Sequence, residues 1–407
     1  MKTTLDTGGL SSSRLQRLRE VMRRHLDTRR VPGLVTLVAR RGREHADAIG
    51  TLAFGAAAPM QRDSIFRIAS MTKPITAVAT MILVEECKLR LDDAVDAWLP
   101  ELANRKVLRT PASALDDTVA ARRAITVRDL LTFRSGYGEV AFVAGMCPMQ
   151  KAVAEAHLPL TDWIFKDSPD EFMRRLGTLP LVDQPGERWL YHMSGEILGV
   201  LIARVTGKSL GAFMRDRIFE PLGMKDTAFV VPEAKLDRLA TCYCAVPVTG
   251  ERAILDEPRG GMFSTPPAFE SGAGGLVSTA DDMLAFARML LGKGALRGER
   301  ILSRPTIDLM TADQLSAQQK AASPFFPRFW DTFGWGLGIG VVAHKMYVGR
   351  GPGCFGWDGA CTTSWWIDPE QDLIGIFMSQ HMPSWMEMKV PDVIGDFWTC
   401  VYQAIDD

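Results

Sequence analysis

The chain has no run of about 18 uncharged apolar residues, so nothing in it reads as a membrane-spanning helix. It also lacks an excess of charge: 47 Lys and Arg against 48 Asp and Glu leave a formal net charge of −1. That removes the usual electrostatic basis for a polyanionic partner such as nucleic acid and makes a small neutral ligand the default expectation. Cysteine is sparse, and an odd count of 7 scattered over 407 residues is a poor disulfide framework. Reduced thiols in the cytoplasm are expected. Cys242 and Cys244 form a Cys-x-Cys pair, but without a second pair nearby no metal site is expected, and the thiols read as small buried hydrophobes.

Several cofactor and catalytic signatures are missing too. There is no Gly-x-Ser-x-Gly elbow, which argues against an α/β-hydrolase. Gly351-Pro352-Gly353-Cys354-Phe355-Gly356 matches a dinucleotide fingerprint only formally, because it precedes a strand instead of linking strand to helix. Gly207-Lys208-Ser209 lacks the first glycine of a Walker motif and reads as a helix end. No cofactor is expected. Met1 to Pro32 lacks the apolar run and small-residue cleavage site of a secretory signal, so export by that route is not expected. Leu15, Leu18 and Met22 recur at helical spacing among arginines, but Glu20 and Asp27 interrupt them, so a solvated helix face is expected there and not a membrane contact.

What the sequence does have is ample apolar content, 47% hydrophobic, enough for a sizeable core. From Gly33 to Gly55 a β-branched run broken by Arg40 to Glu44 predicts a hairpin of core strands. Ser64 to Glu86 predicts a helix with Ile75, Val78, Ala79 and Ile82 as its apolar stripe. Pro74 fits its first turn, where amides lack intrahelical partners. From Asp92 to about Phe269 the pattern is mostly helical with long polar connections such as Asn104 to Arg123, and one helix carrying Ile197 to Val205 closes at Gly207. The strand pattern returns late: Gly334 to Val342 alternates glycine with bulk, and Ser364 to Ile367 is expected to pair with Leu373 to Met378 across Asp368 to Asp372. Strands at both ends imply one sheet built by the two ends of the chain around a helical insertion.

Ser70-Met71-Thr72-Lys73 is a Ser-x-x-Lys tetrad, and positions i and i+3 of a helix share a face, so Lys73 can hydrogen-bond Ser70. A serine hydroxyl is a weak nucleophile until a base takes its proton, and a lysine desolvated in a cleft can help do so. Four such letters occur by chance in many chains, with a helix cap and a surface lysine as the ordinary meaning; further motifs decide between the two. Phe66 to Ala77 resembles the nucleophile helix of the serine β-lactamase and penicillin-binding-protein superfamily, particularly its class C-like family VIII carboxylesterases. Leu130 to Gly136, Gly186 to Tyr191, Glu220 to Thr227 and Gly272 to Thr279 continue the resemblance in order, over roughly residues 10 to 400.

The resemblance implies an α/β (α+β) fold of the β-lactamase/transpeptidase type, with a central antiparallel sheet flanked by helices and an inserted helical domain. The expected division is 1–95 with 270–407 for the sheet-bearing part and 96–269 for the helical one, the active site lying in the cleft between them. It implies Ser70 as nucleophile with Lys73 and Tyr191 as base, and the amides of Ser70 and Ala360 as oxyanion hole. The family's Tyr-x-Asn reads here Tyr191-His192-Met193, and its Lys-Thr-Gly or His-Thr-Gly reads Trp357-Asp358-Gly359. Loss of the asparagine and of the cation turns the expectation from β-lactams toward neutral esters: Trp357 offers an apolar wall, Asp358 repels an anion and Gly359 permits close approach. Trp357, Asp358, Gly359, Phe133, Tyr137 and His192 are the candidate substrate-binding residues, with Trp189 and Trp335 as further candidates for the wall. The function expected is hydrolysis of short-chain carboxylic esters by a Ser70 acyl-enzyme. A β-lactamase or D,D-peptidase using Arg350 as its cation, and an acyltransferase, are the alternatives; a non-catalytic scaffold would have been expected to lose Ser70, Lys73 or Tyr191.

Overall fold

The computed structural model describes residues 7–27, 31–138, 147–158, 166–246, 251–323, 325–345, 347–383 and 392–407. The β-branched run at Gly33 forms β1 (Gly33–Arg40) and turns into β2 (Arg43–Gly50). Both turn residues, Arg41 and Gly42, have positive φ (47° and 76°), the geometry that matches the right-handed twist of a hairpin. The late strands are β3 (Phe333–Trp335), β4 (Gly340–Val342), β5 (Phe355–Gly359), β6 (Thr363–Asp368) and β7 (Leu373–Met378). They form one antiparallel sheet in the order β3-β4-β5-β6-β7-β1-β2, so strands from both ends of the chain lie side by side. β6 and β7 pair across the expected turn, Ser364 opposite Phe377 and Asp368 opposite Leu373.

Alternation along the strands sorts residues between two cores. Leu34 and Val38 of β1 and Leu373 and Phe377 of β7 meet helices α1 (Ser12–Asp27) and, at the other end of the chain, Phe397, Trp398 and Val401. Val35, Leu37, Ile374, Ile376 and Met378 face the opposite core. That core contains α2 (Thr72–Glu85), α3 (Met193–Thr206) and α4 (Ala280–Leu291), and Phe286 of α4 packs edge-on against Trp365 of β6. Phe397 and Trp398 belong to α5 (Asp392–Gln403), which lies so close to β7 that a Cβ on Gly375 would meet the Trp398 ring at 2.5 Å. Each large apolar side chain buried in this way contributes roughly 1.5–3 kcal/mol, so packing more than intrinsic propensity holds the terminal helices.

Three local readings are corrected. The hairpin is not core on both strands, because β2 ends the sheet and most of its residues are partly or fully exposed. The helix expected from Ser64 starts at Thr72: Phe66–Arg67 pairs instead with Val277–Ser278, and a 3₁₀ turn, Ala69–Met71, separates that strand from α2. From Thr72 to Leu83 every residue of α2 is buried, so no single stripe faces the core. Within the polar stretch 104–123, Lys106–Leu108 and Thr118–Ala120 form a small antiparallel ladder. Gly207 does end α3, in left-handed conformation at φ 67°. No single helix among the described residues is long and apolar enough to cross a membrane.

Candidate active site

The site is assembled where the first turn of α2 meets the entry to α3. Ser70 sits in the 3₁₀ turn just before α2, and the preceding Ala69 has φ 47°, a left-handed conformation that is costly outside glycine. Lys73, one turn on, is 2% exposed. Its Nζ donates to Ser70 Oγ at 2.9 Å and to the carbonyl of Ala273 at 2.6 Å, so the Gly272-to-Thr279 motif supplies an anchor for the lysine.

Tyr191 enters from the other side through a strained turn. His192 has φ 79° and ψ −65°, and the Met193 amide donates to the Tyr191 carbonyl at 3.2 Å, which together define a γ-turn of the rare positive-φ kind. The turn presents two consecutive side chains to Lys73. The ammonium lies 4.6 Å from the centre of the Tyr191 ring, and His192 Nδ1 lies 3.4 Å from Nζ. His192 Nε2 faces Glu196 Oε1 at 3.3 Å. Burial, and after it the charge of Lys73, holds the His192 pKa below its ordinary value. A neutral ring accepting at Nδ1 and donating from Nε2 satisfies both neighbours. Glu196, wholly buried, also accepts from Ser271 Oγ at 2.7 Å and the Ala273 amide at 3.3 Å, which ties His192 and the Lys73 anchor to one carboxylate. Sequence reading missed Glu196; the signal was a lone acid on an apolar helix, four residues after His192.

Trp357 does more than form a wall. Its Nε1 donates to the Tyr191 hydroxyl at 2.8 Å, which fixes the phenol oxygen. Trp189 stacks on Tyr191 with ring centres 5.5 Å apart, and Trp335 meets Trp357 edge-on at 4.7 Å. Asp358 directs Oδ1 to Ser364 Oγ (2.5 Å) and Trp366 Nε1 (2.9 Å). The close approach expected at Gly359 is made by the chain itself: a Cβ there would lie 2.3 Å from the Ile68 carbonyl and 2.2 Å from Thr363 Oγ1. This lack of a side chain lets β5 lie against the Ser70 turn.

A cavity of about 600 Å³ opens over these groups, and Ser70, Tyr191, Trp357, Asp358, Gly359 and Ala360 all line it. Phe133, Tyr137 and His192 do not. Phe133 lies behind the site, packed on Trp335 at 4.7 Å, and Trp189 and Trp335 stand in the same rear layer. Tyr137 turns its hydroxyl into the core toward the carbonyls of Leu176 (3.3 Å) and Leu179 (3.2 Å), where burial pushes its pKa up to about 12. The aromatic wall comes instead from Phe325, Phe329, Phe333, Trp366 and Trp398, and the cation Arg350 joins it. The density of aromatic residues from Phe325 to Trp335 was the available signal, but it has no period from which to read a direction.

The family model described as Beta-lactamase matches residues 18–394. Protein Rv1367c of Mycobacterium tuberculosis is 41% identical over 357 residues, 86% of either chain. Esterase EstB of Burkholderia gladioli is 30% identical over 383 residues, covering 90% of this chain and 89% of that relative. Among solved structures, EstCE1, a hydrolase with promiscuous acyltransferase activity, has a TM-score of 0.76 at 24% identity and covers 97% of this chain and 99% of its own. The matched span takes in the whole site from Ser70 to Ala360 together with the antiparallel sheet that carries it, and on that basis the chain belongs to the Beta-lactamase family, with the fold of its serine hydrolases and acyltransferases.

Proposed function

We propose that this protein is a serine esterase that hydrolyses short-chain carboxylic esters through an acyl group carried on Ser70. The observation that carries the reading is the 2.9 Å contact between Lys73 Nζ and Ser70 Oγ at the wall of an aromatic cavity. Entering the step as the free amine, Lys73 takes the hydroxyl proton as Ser70 attacks the ester carbonyl; Tyr191, its oxygen held by Trp357, gives its own proton to the departing alcohol and regains one from the Lys73 ammonium. Water then attacks the acyl group in the reverse sense and frees the acid. The amides of Ser70 and Ala360, both at the cavity wall, serve as donors to the tetrahedral oxyanion. His192 and Glu196 keep Lys73 in place during the cycle. On this reading the reaction runs between the sheet-bearing part, 1–95 with 270–407, and the helical part, 96–269; that Ser70 and Trp357 belong to the first and Tyr191 to the second supports it.

The relatives named esterase support this choice among the chemistries the fold hosts. Ser70→Ala is expected to abolish turnover of p-nitrophenyl acetate and butyrate while leaving the melting temperature close to that of the parent. Substantial residual turnover in that variant refutes the assignment. A second reading, transfer of the acyl group to an alcohol, is supported by the dual activity stated for EstCE1, and added alcohol outcompeting water in product analysis distinguishes it.

A further inference from the structure

The loop between β4 and β5 brings one cation into the cavity. Arg350 is 6% exposed, and its guanidinium lies over Trp366 at 4.2 Å, Trp398 at 5.1 Å and Phe333 at 5.6 Å. One nitrogen, Nη2, donates to the Tyr347 hydroxyl at 3.0 Å. Nε and Nη1 are buried with no acceptor among the described residues. Among the described residues no carboxylate pairs with this arginine, and Asp358 on the same wall has its Oδ1 on Ser364 and Trp366. Ring faces attract a cation, but they offer nothing to N–H groups that point outward in the guanidinium plane. A charge taken out of water with in-plane donors unused is an unfavourable arrangement, and it becomes favourable once an anion supplies the acceptors. A planar, permanently charged fork suits a carboxylate gripped by two parallel bonds.

Place in the sheet separates this cation from the position that Trp357 fills. Trp357 pairs with Trp365, whereas Gly356 pairs with Trp366, so the Arg350 platform stands on the opposite face of β5. Ala360 to Gly356 spans four residues, roughly 13 Å of strand at about 3.3 Å per residue. Tyr347, whose hydroxyl accepts from Arg350, is 41% exposed, so a ligand oxygen can take its place without unpacking the core. We propose that Arg350, boxed by Phe333, Trp366 and Trp398, is an anion subsite of this cavity, and that the substrate is an elongated ester carrying a carboxylate at the end remote from the scissile bond. The inference rests on the Ser70 acyl-enzyme reading and revises its substrate class, replacing a short-chain, wholly neutral ester with a longer one that carries an anion.

The test uses two pairs of probes on the full chain. Mono-p-nitrophenyl suberate is compared with p-nitrophenyl octanoate, which puts the acid on the acyl side. 8-Acetoxyoctanoate is compared with its methyl ester, which puts it on the alcohol side. In at least one pair the anion is expected to have a kcat/KM about tenfold or more above its neutral partner, carried mainly by KM, with suberate preferred over the shorter succinate. Arg350→Met, which fills the aromatic box without charge, is expected to bring that ratio close to one, and Arg350→Lys to leave an intermediate ratio. Should Arg350→Met fail to fold, the lysine variant and competitive inhibition of the parent by free suberate but not by 1-octanol carry the decision. Equal kcat/KM within both pairs, or a ratio unchanged in the variants, overturns the subsite. Turnover that survives Ser70→Ala would overturn the acyl-enzyme reading instead, so the two failures are told apart.

Discussion

Replacing Trp357 with phenylalanine separates two roles that one side chain holds. The ring keeps an apolar wall at the cavity, but the 2.8 Å donation from Nε1 to the Tyr191 hydroxyl is lost. A hydrogen bond between neutral groups contributes about 0.5–1.5 kcal/mol net, and one to a charged acceptor about 1.5–3 kcal/mol. If the phenol oxygen gains negative character while it moves the proton, the second range applies, and kcat/KM falls by roughly tenfold to a hundredfold. Stability changes separately, because the edge contact with Trp335 at 4.7 Å is weakened and part of the indole volume is left empty; about 1–3 kcal/mol is expected. The assay is steady-state hydrolysis of p-nitrophenyl acetate, too small to use the distal wall, beside a thermal melt of the same preparation. A kcat/KM within twofold of the parent, in a variant that melts lower, would refute the proposed part of this hydrogen bond in proton transfer and leave Trp357 as wall alone.

Other perturbations bear on the parts behind the nucleophile. His192 has its pKa held below the ordinary 6.5, so the unfolded chain takes up a proton near that pH while the folded one does so only at lower pH. Stability from this residue is therefore complete above about 6.5 and lost as pH falls; His192→Gln should flatten the acid side of a plot of melting temperature against pH. Glu196→Ala strands Ser271 Oγ, the Ala273 amide and His192 Nε2 in the core, and a loss of about 2–4 kcal/mol in urea unfolding is expected, with activity falling as the Lys73 anchor loosens. Gly359→Ala forces β5 away from the Ile68 carbonyl that its Cβ would meet at 2.3 Å, and a shift of that size at the Ser70 turn should reduce kcat by about a hundredfold in p-nitrophenyl acetate hydrolysis.

The parts of this site that were legible in sequence are those that depend on short-range geometry or on ordered motifs. Ser70 and Lys73 could be joined because three residues on a helix fix their relation, and the β6–β7 register could be read because a polar, proline-containing turn separates two strand-like runs. The helix start could not be read. Phe66 and Arg67 carry no local mark that distinguishes a helix turn from a strand, and only their partners Val277 and Ser278, two hundred residues away in sequence, decide it. The aromatic residues follow the same rule. Phe133, Trp189 and Trp335 were in the correct neighbourhood, but which of two layers faces the cavity is set by packing across three separate segments. Glu196 goes unread, and Arg350 enters only as the cation of an alternative reaction, because burial, which gives each its meaning, has no sequence signature in a single charged residue.

The account stands on a covalent intermediate at Ser70, and rapid mixing with p-nitrophenyl butyrate followed by intact-mass and peptide-mass analysis of the quenched protein tests that directly. A burst of nitrophenol equal to the enzyme present, with one butyryl group on the peptide that contains Ser70, is the predicted result. Turnover with no acylated species at any time, or an acyl group on another residue, would contradict it.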